Sequence, residues 1–157
     1  LRATGKNATF ARVYSTTMDL DRGHVLKREI VFDYGQGYDD FLNANHAPVH
    51  SFMLDMRKVD ANAIEYFPDM KFMEDYYLTL QIFTRDDTDW DSLVNEVYIG
   101  DYVHFERHDA NTLAISNTEK RRETLESPEY QLSEARINAL RKRIAEQGVK
   151  PQKAAAA

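Results

Sequence analysis

From Phe72 to Phe83 the chain reads FMEDYYLTLQIF. Phe72, Tyr76, Leu80 and Phe83 recur at helical spacing, which predicts a helix with an apolar stripe. So little of the run is polar that it reads as a buried helix, to be covered by other elements. Glu74 and Asp75 fall in its first turn, where the helix dipole favours negative charge. Taken alone they are a helix start. Their position at an apolar entrance, downstream of His46 and His50, also makes them candidates for chemistry.

Around this helix the pattern alternates between strands and helices. Thr9–Met18 alternates and is rich in β-branched and aromatic residues, as a strand requires. Asp19–His24 reads as a turn and Val25–Tyr34 as a second strand, completing a hairpin. A short helix is expected over Tyr38–Asn43. A third strand follows from Ala47 to Met56, with Pro48 at its start, where a missing N–H does least harm. Asp60–Phe67 reads as a short helix closed by Pro68, and Val97–Arg107 as a fourth strand. Residues 116–130 look like a linker with some helix. Ser133 is then expected to cap an amphipathic helix with Ile137, Leu140 and Ile144 on one face and Gly148 and Pro151 as its stop. The fold class is therefore α/β or α+β, a mixed sheet with flanking helices and a C-terminal helical tail. The division expected is a portion of mixed strands and helices over residues 1–118 and a linker with helical tail over 119–157. On this reading the tail helix is peripheral, Arg136, Arg143 and Lys150 are solvated, and removing everything after Ser127 leaves the rest folded.

Charge narrows the partners. The 157 residues carry a net charge of −6, with sixteen acids against five bases between Asp39 and Asp109. Tracking a nucleic-acid backbone needs a basic groove, so no nucleic-acid partner is expected. An acidic centre suits divalent cations or neutral hydroxylated ligands. The chain has no cysteine, which excludes disulfides and cysteine-ligated metal centres and is compatible with a reducing, cytoplasmic setting. No apolar run approaches the length of a membrane-spanning helix. The basic tail helix could contribute weak attraction to anionic membrane surfaces.

Two motif candidates fail on geometry. His46 and His50 are four apart but separated by Pro48, and on an extended strand such residues lie ~13 Å apart, too far to share one ion. The same holds for His104 and His108. Asp19-Leu20-Asp21 matches a two-aspartate cation motif, but it flanks a glycine-containing turn, and aspartates favour turns for their own reasons.

The order Asn45-His-Ala-Pro48-Val-His50-Ser51 with Arg57 soon after, then Glu74-Asp75 opening a helix with Arg85 beyond its end, then Tyr102, Arg107, His108, Asn111 and Thr112, resembles the later half of the catalytic domain of glycosyltransferase family 2, the inverting GT-A type. The resemblance spans about Ala11 to Ala114. It implies a partial GT-A, Rossmann-like sheet, with the nucleotide-binding half and its metal-holding aspartates preceding this chain. It also implies a nucleotide-sugar donor, a saccharide or related acceptor, and a divalent cation, manganese or magnesium. Asp75 takes the family's general-base position, with Glu74 orienting it or holding the acceptor. Asn45, His50, Ser51 and Arg107 are the implied substrate-binding residues, and His108 the implied contribution to the metal or diphosphate. The family often has an arginine inside the helix, which this sequence lacks. The alternative from another class is a non-catalytic interaction module, or a degenerate relative, in which Glu74-Asp75 is only a helix start. A histidine-dependent hydrolase is disfavoured by the strand geometry.

Overall fold

A computed structural model describes residues 4–19, 21–30, 37–45, 51–90, 98–105 and 118–147 of the protein. The strand expected over Thr9–Met18 is split at Ala11, so that its halves enter different sheets. β1 (Ala8–Phe10) lies between β4 (Phe52–Leu54), antiparallel, and β5 (Thr88–Asp89), parallel. β2 (Arg12–Asp19) lies between β3 (His24–Ile30), antiparallel, and β6 (Tyr98–Phe105), parallel. Both sheets are mixed, and the chain is a mixed α/β protein. At the break, the Ala11 N–H donates to the Ser51 carbonyl at 2.7 Å. All three residues of β1 are buried, so alternation could not mark which face of this strand meets the core.

The β2–β3 hairpin closes as expected. Asp19 Oδ1 accepts from the N–H groups of Asp21 (2.9 Å) and Arg22 (3.2 Å). Gly23 has φ of +66°, a left-handed conformation that glycine adopts without a Cβ penalty. Asp19 is thus a turn former.

α1 occupies Tyr38–Asn43 and α2 Glu74–Ile82. The short helix expected over Asp60–Phe67 is only a 3-10 turn at Ala61–Ala63, capped by the Asp60 side chain on the Asn62 N–H. Six of the nine residues of α2 are buried, as its apolar run predicts. The core it joins is aromatic: Phe10 sits 4.5 Å from Phe83, 5.2 Å from Trp90 and 5.6 Å from Phe41, and Phe41 lies 5.6 Å from Tyr76 of α2, between ring centroids. Tyr76 Oη donates to the carbonyl oxygens of Phe41 (2.6 Å) and Leu42 (3.1 Å) and accepts from Arg141 Nη2 (2.9 Å). Tyr76→Phe leaves buried carbonyls unsatisfied at the end of α1. A loss of about 1–3 kcal/mol is expected, seen as a lower urea midpoint at unchanged m value.

The C-terminal segment departs from expectation. Residues 118–126 form a helix, α3 (Thr118–Glu126), and the final helix, α4, runs Pro128–Gln147. Ser133 is no cap. It is 1 % exposed, inside the helix, and its hydroxyl donates to the Glu129 carbonyl. The capping residue is Ser127, whose Oγ accepts from the Tyr130 N–H. Pro128 follows at the first helical position, where its missing N–H costs nothing. Ile137, Leu140 and Ile144 are buried in the same cluster as Phe10, Phe41, Tyr76 and Leu80. Arg136 and Arg143 form ion pairs with Asp69 (2.9 Å) and Glu65 (2.7 Å). The helix is built into the core, and these two arginines are engaged, contrary to the solvated face expected of them; Lys150 lies outside the described residues.

Candidate active site

α2 starts abruptly. Met73, the residue before it, has φ 56° and ψ 23°, and no side chain caps the first turn. A non-glycine residue held in the left-handed region costs of order 1–3 kcal/mol, and such residues concentrate at functional sites. The turn at Met73 brings Glu74 and Asp75 to the open end of the helix. Glu74 is exposed and Asp75 half-buried. Asp75 Oδ1 accepts from the Tyr76 N–H at 2.7 Å.

Both acids line a cleft of about 200 Å³ whose walls include Ile64, Phe67, Met70 and Leu78. Burial against this apolar lining pushes the Asp75 carboxyl above its ordinary value. The Tyr76 N–H opposes that shift, and the neighbouring charge of Glu74 adds to it. Among the described residues, no lysine or arginine pairs with Asp75 or Glu74. An ionisable group raised by desolvation, in a cleft and free of a counter-ion, has the properties of a general acid or base.

Glu65, which also lines the cleft, is held very differently. Its carboxylate receives Arg143 through two nitrogens (2.9 and 2.7 Å) and the Tyr77 hydroxyl (2.7 Å). Its backbone N–H donates to Gln81 Oε1, and its carbonyl accepts from Gln81 Nε2. The Arg143 hydrogen bonds hold the Glu65 carboxyl below its usual range, whereas burial and then the Glu65 contact push the Tyr77 hydroxyl up to about 12. The cleft thus carries one fixed, neutralised carboxylate, Glu65, and one, Asp75, that no cation among the described residues pairs.

Comparison with known protein families, curated proteins and solved structures found no match.

Of the residues singled out in the sequence, the cleft gathers Glu74 and Asp75. Asn45 is exposed beyond the end of α1, and Ser51 is fully buried beside β1; neither lines the cleft. Arg57 is committed to Asp55, whose carboxyl it holds down to about 2. Arg85 is committed to Asp39 at 2.6 Å and lies over the Tyr38 ring. Tyr102 lies in β6 opposite Ser15. His46, His50, Arg107, His108, Asn111 and Thr112 fall outside the described residues. Among the described residues, no group of three or more histidine, aspartate or glutamate side chains could hold a metal ion. Nor is any helix among them long and apolar enough to cross a membrane. Glu65, Tyr66 and Arg143 also belong to the site, and the sequence does not mark them for it. Their one local signal was Pro68, which disfavours helix in the residue before it and so argued for a loop at Tyr66–Phe67.

Proposed function

We propose that the chain is the acceptor-side portion of an inverting glycosyltransferase of GT-A type, which transfers a sugar from a nucleotide-sugar donor to a saccharide or related acceptor. The observation that carries this reading is the Asp75 carboxylate: half-buried, without a cationic partner among the described residues, and open to a cleft at the start of a buried helix. The order of the motifs around it supports the same reading.

A sugar hydroxyl is a poor nucleophile. Asp75 takes its proton as the hydroxyl oxygen bonds to the anomeric carbon, while the bond from that carbon to the nucleoside diphosphate breaks on the opposite face. Attack from behind the leaving group inverts the centre. Such general-base assistance is typically worth ~10²–10⁴ in rate. Glu74, beside Asp75 and more exposed, orients the acceptor and by its charge helps keep the Asp75 carboxyl basic. Asn45, His50, Ser51 and Arg107 remain the proposed substrate-binding residues, with the burial of Ser51 limiting it to a supporting role.

Among the described residues no cluster of three histidine or acidic side chains offers a manganese or magnesium site. On the family pattern, His108 is this chain's contribution, and donor binding rests mainly on strands preceding Leu1. A nucleotide-sugar binding screen on the full-length parent, with and without manganese, tests the reading. Metal-dependent binding of one nucleotide sugar is expected, weakened by His108→Ala. The 157-residue chain alone is expected to show no turnover; hydrolysis or transfer by it would place donor binding within these residues and overturn that part of the proposal.

A further inference from the structure

Nine tyrosines and one tryptophan are available to stack on a sugar, and the structure separates them. Trp90 packs on Phe10 and Tyr38, and Tyr76 and Tyr77 are buried. Tyr66 lines the cleft of Asp75 and is 75 % exposed. A lone exposed aromatic is ordinary on a protein surface; what sets Tyr66 apart is the fixing of both its neighbours. Glu65 is clasped by Arg143, Tyr77 and Gln81. The Phe67 ring lies under the Arg136 guanidinium, 4.2 Å from its centroid, and 5.5 Å from the Tyr77 ring. Arg136 is itself held by Asp69 through two hydrogen bonds. Two arginines of α4 thus tie down the residues on either side of Tyr66. Among the described residues, no aromatic or cationic side chain covers its ring.

We infer that Tyr66 is a preorganised stacking platform for an uncharged pyranose in the Asp75 cleft, an assignment that rests on the acceptor-site reading above. An exposed aromatic ring on a backbone whose two neighbours are already held loses less conformational freedom on binding than one on an untied loop. Its apolar face suits the C–H face of a pyranose, while the Asp75 carboxylate accepts a hydrogen bond from a hydroxyl. Glu65 is neutralised by Arg143, but Glu74 and Asp75 have no counter-ion among the described residues. The cleft therefore repels an anionic sugar. Arg136 and Arg143 are positioning residues for the platform.

Saturation-transfer NMR on the full chain tests this, using methyl glycosides of glucose, galactose and N-acetylglucosamine alongside methyl glucuronide. At least one neutral glycoside is expected to bind and the glucuronide is not. Tyr66→Ala should weaken binding about tenfold, the scale of one aromatic contact, with the thermal midpoint unchanged because the side chain is exposed. Tyr66→Trp should retain binding. The platform is overturned if no neutral glycoside binds the wild-type chain, if Tyr66→Ala binds as well as wild type, or if the glucuronide binds as tightly as the neutral sugars. Loss of binding in Tyr66→Ala, together with a full-length parent that transfers no sugar, would sustain the platform and remove the transferase reading. An Asp75-dependent transferase whose acceptor KM ignores Tyr66→Ala would do the reverse.

Discussion

Ending the chain after Ser127 is expected to abolish cooperative unfolding, because α4 supplies one wall of the core. Ile137, Leu140 and Ile144 are each buried to within 8 % of full enclosure. Burying an aliphatic side chain of this size is worth ~1.5–3 kcal/mol, so removing three forfeits roughly 5–9 kcal/mol. That is comparable with the whole stability of a typical domain, about 5–15 kcal/mol. The polar losses act in the same direction. Without Arg141, the Tyr76 hydroxyl and the Asn43 carbonyl lose a donor, and without Arg136 and Arg143 the loop beside the cleft loses both its ties to α4. Thermal or urea unfolding followed by far-UV and near-UV circular dichroism should show a broad, non-cooperative change in the truncated chain. A sharp transition near the wild-type midpoint would show that α4 is an appendage after all.

The difference between that result and the peripheral helix read from the sequence has a physical origin. Three apolar residues on one face specify that a helix packs, but not on what, and the surrounding basic residues suggested a solvated surface. The acids that answer them, Asp69 and Glu65, lie 67 and 78 positions away in the chain, beyond the reach of any local pattern. Local chemistry was legible where it is self-contained. The Asp19–Gly23 turn, the short helix over Tyr38–Asn43 and the start of α2 at Glu74 each depend on a few adjacent residues. Ser127-Pro128 carried an equally local signal for the start of α4, overshadowed by the stronger periodicity after Ser133. The split at Ala11 was not legible, because two buried strand segments joined by one residue look like a single strand. For the site, the acid pair was visible as a pair, whereas the lining at Glu65 and Tyr66 is created by contacts to α2 and α4 and leaves little trace in its own sequence.

Asp75→Asn in the full-length parent is expected to lower kcat about 10²–10⁴-fold, the usual worth of a positioned base, with donor affinity nearly unchanged. The amide keeps the shape and can still accept a hydrogen bond from the Tyr76 N–H, but it cannot take a proton. Stability should move the other way. Burial raises the folded-state pKa of Asp75, so the fold disfavours the ionised form. That penalty is fully present above the folded pKa and is relieved as pH falls through it toward the unfolded value. Asparagine never carries it. The variant should therefore be at least as stable as wild type at neutral pH, and any advantage should shrink on acidification. On the transferase proposal the same titration should appear as an acid limb in kcat, displaced upward from the ordinary aspartate value by the burial of Asp75; the variant's residual rate should lack it. Parallel measurements of transfer, donor binding and thermal midpoint across pH separate this from a purely structural role, in which activity and stability would fall together. Near-normal turnover in Asp75→Asn would remove the base assignment and leave Glu74 and Asp75 as the negative end-charges of a helix.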